Sequence, residues 1–384
     1  MTSKDHNKHA DLAKPALGTF GRNEWAVVGT NCGAIKELAD ALIRELSPTW
    51  QCAYADASHD DEGAASLPGR LMAGASYEYI SEPQFHRFNI NSNLNHFGFR
   101  QMFSGADLIF VNGNHHQARA QVVVIDPAKK ASLQKRLARL TDVHLILLTD
   151  PSVEVFDFIK EQIPSWQQVP VYNLADTAKI AGFFEQYMEQ AKPPVKDLVL
   201  AGGKSERMGH DKGSIRWHGK EQRFYMADLL GQFCKDVFIS CRAEQENDFE
   251  TTYRAITDTF TGLGPFGAIL SAFRTDPGAA WLVTACDLPF VDEGVLQKLI
   301  ENRSSKAIAT TYRSVADGHP EPLITIWEPK SYPVLLSFLS QGYTCPRKVL
   351  LNSEIKLLNP ERPEVLMNVN TPDEFDQAKR LMQH

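Results

Sequence analysis

Leu200-Ala201-Gly202-Gly203-Lys204-Ser205-Glu206-Arg207-Met208-Gly209-His210-Asp211-Lys212 is the stretch on which the reading of this chain turns. It directly follows the short apolar run Asp197–Leu200, which predicts a strand. A loop leaving the carboxyl edge of a parallel sheet is where such folds bind ligands. Paired glycines let a nucleotide approach the backbone, and their N–H groups can face phosphate oxygens. Arg207 and Lys212 add fixed positive charge suited to a triphosphate.

Downstream of this loop, Gln222–Cys234 has helical spacing, and strands are expected at 236–240, 253–257, 281–285 and 307–311. A last helix is expected over Thr371–Met382. Upstream, Ala191–Lys196 (AKPPVK) predicts a linker, because Pro-Pro interrupts regular structure. Beyond it, strands are expected at 25–29, 107–111, 121–125 and 143–148. Ile35, Leu38, Ala39, Leu42 and Leu46 share one face of a helix that Pro48 ends, and 177–191 predicts another helix. Strands alternating with helices imply an α/β class with mostly parallel sheets. The expected organisation is a mobile tail over 1–22, a domain over 23–190, a linker over 191–196 and a second domain over 197–384.

Composition bounds the function. The 384 residues carry 40 Lys and Arg against 47 Asp and Glu, a net charge of −7, which disfavours nucleic acid and anionic membranes as partners. No apolar run approaches the roughly 18 residues of a membrane span, and the polar N-terminus lacks a secretory core. The six cysteines show no CxxC spacing, so reduced thiols in a cytoplasmic protein are expected, not a zinc site.

The Gly-rich string resembles the LAGGxSxRMGxDK motif of the molybdenum cofactor guanylyltransferase family, within the wider nucleotidyltransferases that build activated sugars. Four further segments match that family in order. Asp258 precedes Gly262-Leu263-Gly264-Pro265-Phe266-Gly267-Ala268, Cys286-Asp287-Leu288-Pro289 follows a strand, His319-Pro320 stands before Pro322-Leu323, and Asn368-Val369-Asn370-Thr371-Pro372 precedes the last helix. The resemblance implies two three-layer, Rossmann-like domains, the second of nucleotide-diphospho-sugar transferase type. It implies nucleotide binding by Leu200, Ala201, Gly202, Gly203, Lys212, Ser240, Asp258, Gly264 and Asp287, and catalysis through Arg207, Lys212 and Asp287. Asp287 would hold Mg²⁺, and Asn368 and Asn370 would meet a pterin. The reaction implied is transfer of GMP from GTP to the terminal phosphate of molybdenum-molybdopterin, with molybdoenzyme apoproteins or their chaperones as further partners. Such an acceptor is already ionised at neutral pH, so no general base is required.

Some positions depart from the family. Ser240 stands where Asn is common, Phe266 where Leu is usual, and Gly267-Ala268 reverses the usual order. CTP or a sugar phosphate therefore stays open as a substrate, and so does a non-catalytic cofactor carrier. The first domain resembles the adapter GTPase that accompanies the guanylyltransferase, through Asp107–Gly113 (DLIFVNG) and the stretch 172–188. Its P-loop is degenerate: counting from Gly29, Ala34-Ile35-Lys36 replaces Gly-Lys-Ser/Thr. His115-His116 predicts exposed polar loop residues in preference to a metal site.

Overall fold

The computed structural model describes residues 10–58, 69–203, 212–248 and 252–382. The chain separates into two compact units, Leu17–Gln190 and Ala191–His384.

Among the described residues, the unit Leu17–Gln190 has eight strands: β1 (Glu24–Val28), β2 (Cys52–Ala55), β3 (Tyr77–Ser81), β4 (His86–Ile90), β5 (Leu108–Asn112), β6 (Ala120–Ile125), β7 (Val143–Leu148) and β8 (Val171–Asn173). Six of them form one sheet in the order β2-β5-β1-β6-β7-β8, parallel at every pairing. β3 and β4 pair separately as an antiparallel ribbon. β1, β5 and β6 are buried along their whole length, so successive residues face opposite layers. Trp25, Leu108 and Phe110 face the helices Cys32–Leu46 and Thr177–Gln190. Val28, Val123 and Ile146 face the layer that contains Leu133 and Ile159. The result is a three-layer α/β unit.

The ordered chain begins before residue 23. Phe20 is 2% exposed and packs against Phe99, Phe103 and His116. The buried Glu24 carboxylate accepts backbone N–H bonds from Thr19, Phe20, Gly21 and Arg119. A buried carboxylate needs several donors, and here the segment read as tail supplies three of them. His115 and His116 also differ from expectation, being half-buried.

In the second unit, β9 (Val195–Leu200), β10 (Val237–Cys241), β11 (Arg254–Thr257), β12 (Ala280–Ala285), β13 (Ala309–Arg313), β14 (Pro320–Trp327) and β15 (Ile355–Leu358) order as β11-β10-β9-β12-β14-β13-β15. The first four run parallel; β14 is antiparallel to both of its neighbours. Helices cover both faces. Phe266, Ile269 and Phe273 pack on one side with Trp281 and Trp327, which face each other across β12 and β14. Met226, Leu230 and Leu296 pack on the other side with Leu282 and Ile324.

Two expectations shift, and one strand stands where none is expected. The linker is shorter, since β9 starts at Val195. The helix from Gln222 ends at Leu230, where Gly231 caps it. β14 is a fully fledged central strand although it contains Pro320 and Pro322, residues that argue against a strand in sequence. Its register with β13 is irregular between Thr311 and Arg313, which accommodates Pro320 at the strand's start.

Candidate functional site

The carboxyl ends of β11, β10, β9 and β12 lie side by side, and each delivers one part of a single cleft. β9 ends at Leu200 and continues into Ala201-Gly202-Gly203. β10 brings Ser240, Asp258 follows β11, and Cys286-Asp287 follows β12. Leu200, Ala201, Gly202, Gly203, Lys212, Ser240, Asp258, Gly264 and Asp287 all line this cleft, together with Pro265, Ala268, Ala285 and Leu323. Arg207 lies outside the described residues.

Local geometry explains several residue choices. A Cβ on Gly202 would stand 3.4 Å from Asp258 Oδ2 and 3.6 Å from the Arg242 nitrogen, so a side chain would fill the cradle. Gly264 caps the helix Pro265–Thr275 at φ +56°, a conformation that favours glycine. Pro265 then starts the helix at a position where its missing N–H costs nothing. A Cβ on Gly267 would collide with the Phe260 carbonyl oxygen at 2.1 Å, while Ala268 lines the cleft, which accounts for the Gly-Ala order. Phe266 is wholly buried in the core and does not line the cleft, so its departure from Leu is a packing matter. Ser240 Oγ donates to Asp258 Oδ1 at 2.8 Å and fixes that carboxylate. Burial pushes the Asp258 carboxyl up in pKa, and the Ser240 bond opposes this.

A second hollow adjoins the first and shares Asp287 and Leu323 with it. Asn368 and Asn370 line this second hollow, not the nucleotide-type cleft. They are held by the start of the last helix, Pro372–Leu381. Thr371 and Glu374 form a reciprocal cap, and Glu374 Oε2 also accepts the Asn370 N–H at 2.7 Å. The Val369 N–H donates to the Asp287 carbonyl at 2.9 Å, stitching the run to the turn after β12.

Lys212 and Asp287 stand at the junction. Lys212 Nζ donates to Asn370 Oδ1 and lies 3.8 Å from Asp287 Oδ2. Asp287 Oδ1 is buried without a hydrogen-bond partner among the described residues. Burial pushes the Asp287 carboxyl up, with Glu321 adding to the shift, while the Lys212 ammonium opposes it. An orphaned carboxylate oxygen beside one cation fits a hard divalent ion such as Mg²⁺, which takes one or two carboxylates and fills its remaining positions with water and phosphate oxygens. Among the described residues no group of three His, Cys, Asp or Glu could hold a metal without such help.

Sequence reasoning missed Glu321 and Arg347, which line the second hollow. Arg347 pairs with Glu321 at 3.2 Å and with Asp317 at 2.8 Å. Glu321 sits inside the quoted segment between Pro320 and Pro322, so adjacency to a motif was a usable signal; Arg347 sits in no motif.

With this geometry in view, a family model falls within the second unit. Residues 198–355 match the family described as MobA-like NTP transferase domain. A molybdenum cofactor biosynthesis bifunctional protein from Synechocystis is 32% identical over 188 residues, covering 49% of this chain and 54% of that relative, so the match spans about half of its length. A protein named probable molybdenum cofactor guanylyltransferase from Bacillus subtilis is 30% identical over 188 residues, covering 47% of this chain and 92% of the relative. Among solved structures, molybdopterin-guanine dinucleotide biosynthesis protein A from Archaeoglobus fulgidus is 23% identical with a TM-score of 0.42, covering 49% of this chain and 98% of that one. The match to residues 198–355 and the 30% identity to a Bacillus subtilis relative covered to 92% of its length lead to one conclusion: the chain belongs to the MobA-like NTP transferase family.

Proposed function

We propose that the second unit transfers GMP from GTP to the terminal phosphate of molybdenum-molybdopterin, releasing pyrophosphate. The observation behind this reading is the shared wall: Asp287 borders both the glycine-lined cleft and the adjoining hollow. A group transfer needs donor and acceptor on either side of one electrostatic centre. The names of the matched relatives support the chemistry.

Each residue then has a task. Gly202 and Gly203 admit the phosphates to the backbone, and Lys212 meets the triphosphate's charge. Asp258, fixed by Ser240, receives hydrogen bonds from the nucleoside. Asn368 and Asn370 orient the acceptor. Asp287 would hold Mg²⁺, which when bound would supply charge neutralisation at the reacting phosphate. The acceptor's own ionisation makes a proton-accepting side chain unnecessary. Arg207, four positions after Gly203 in the sequence, is assigned to the leaving pyrophosphate. The N-terminal unit is read as a non-hydrolysing adapter, and the protein as cytoplasmic; among the described residues no helix is long and apolar enough to cross a membrane.

The test is pyrophosphate release with molybdenum-molybdopterin and a panel of GTP, CTP and ATP. GTP should be preferred at least about tenfold in kcat/KM, about 1.4 kcal/mol, within reach of one or two base-edge hydrogen bonds. Equal use of CTP would overturn the guanine assignment.

A further inference from the structure

A separate constellation gathers at the carboxyl edge of the sheet in Leu17–Gln190. Three neighbouring strands, β2, β5 and β1, end there. Cys32 follows β1 and opens the 15-residue helix Cys32–Leu46, Asp56 follows β2, and Asn114 and His115 follow β5. Cys32 Sγ lies 3.3 Å from His115 Nε2, and the same nitrogen lies 3.7 Å from Asp56 Oδ1. Asn114 Nδ2 lies 3.6 Å from Sγ and donates to the Thr30 carbonyl at 3.0 Å. Tyr54 donates to Asp56 Oδ2 at 2.8 Å. Asn112, wholly buried at the end of β5, turns its Nδ2 toward Asp56 and Tyr54 without making a hydrogen bond of good geometry.

The place is that of a P-loop, but the chemistry is not. Ile35, where the phosphate lysine would stand, is wholly buried in the core. The Lys36 ammonium lies 3.9 Å from Asp56. A thiol and a carboxylate repel phosphate once ionised. Among the described residues no three His, Cys, Asp or Glu could hold a metal there. What the group does match is a nucleophile, a proton acceptor in reach of it, and a carboxylate beside the acceptor. The first-turn N–H groups of a helix have no intrahelical acceptors, and its dipole favours negative charge. Both stabilise a thiolate and an oxyanion formed next to it. Burial pushes the Asp56 carboxyl up, but Tyr54, Asn112, the Ala57 N–H and His115 together outweigh it and hold the group below its usual range.

We propose that Cys32 is the nucleophile of a second site, taking an activated acyl group from a thioester or ester, with His115 as proton carrier and Asp56 as the positioning residue. The Sγ–H proton passes to His115 Nε2, and the sulfur bonds to the acyl carbon. The carbonyl oxygen takes the negative charge beside Asn114 and the positive end of the helix Cys32–Leu46, whose Ala34 N–H is already bonded to the Asn31 side chain. The bond to the leaving group then breaks, His115 returns its proton to the departing thiolate or alkoxide, and Cys32 is left as a thioester. Thiol–disulfide exchange would need neither a proton carrier nor donors for an oxyanion.

The full chain is treated with 4-nitrophenyl acetate, and acetylation at each cysteine is followed by mass spectrometry. Cys345 is exposed and serves as internal control. Cys32 should acetylate at least about tenfold faster than Cys345 despite its lower exposure, and its pH profile should lie at lower pH, set by His115, Asp56, Tyr54 and Lys36. His115→Asn should slow Cys32 at least about tenfold, move its profile toward that of Cys345, and leave Cys345 unchanged. Faster acetylation of Cys345 in the unsubstituted chain would overturn the proposal whatever the variants do. So would a Cys32 rate indifferent to His115→Asn, or rapid mixed-disulfide formation with oxidised glutathione in the absence of acetylation.

Discussion

Asp287→Asn should separate stability from activity, moving them in opposite directions. The substitution keeps the shape and removes one charge. In the folded protein that charge is half-buried, its Oδ1 has no partner among the described residues, and the Lys212 ammonium lies 3.8 Å from its Oδ2. Burial together with Glu321 raises the carboxyl's pKa against the pull of Lys212. A carboxyl with a raised folded-state pKa contributes stability that is complete below its unfolded value near 4 and is lost as pH rises through the folded value. The unsubstituted chain should therefore lose stability over that window, and Asp287→Asn should not. At pH 7 the variant should be as stable as the parent or more so. Activity should fall. Removing a charge contact made mainly in the transition state typically costs about 3 kcal/mol, a loss of roughly a hundredfold or more in kcat. The assays are turnover against Mg²⁺ concentration and urea unfolding across pH 4 to 8. Normal turnover at low Mg²⁺ would refute the metal assignment. Reduced stability with unchanged pH dependence would refute the electrostatic account of the buried oxygen.

Lys212→Ala should raise KM as well as lower kcat, because its cation meets the triphosphate before reaction; steady-state kinetics with varied GTP checks this. Gly267→Ala should cost about 1–3 kcal/mol in urea unfolding, since its Cβ would lie 2.1 Å from the Phe260 carbonyl oxygen and the backbone must shift. Asp197 is wholly buried in β9, neither carboxylate oxygen has a partner among the described residues, and burial raises its pKa well above the usual value. Asp197→Asn should therefore gain in stability relative to the parent as pH rises from about 4, by at most about 1.4 kcal/mol per pH unit, as read from unfolding midpoints.

The sequence by itself marked β1, β5 to β7 and β9 to β13, and the sheet edge where the cleft lies. Buried parallel strands read as unbroken apolar runs, and a Gly-Gly loop behind one of them marks a sheet edge without any coordinates. The nine residues from Leu200 to Asp287 named for the nucleotide share one cleft because strand ends in a parallel sheet share one edge. The sequence was weakest where local rules and tertiary context disagree. Pro320 and Pro322 hid β14, because a strand held between two partners tolerates residues that local propensity rejects. Glu24 hid the packing of Phe20, because a carboxylate's backbone donors are visible only after folding. Tertiary structure alone decided that Asn368 and Asn370 belong to a neighbouring hollow and that Arg347 joins them. It alone brought Cys32, Asp56 and His115 together, residues far apart in the chain whose meeting depends on the strand order β2-β5-β1. Strand order is set by long-range packing, and no local pattern of side chains encodes it.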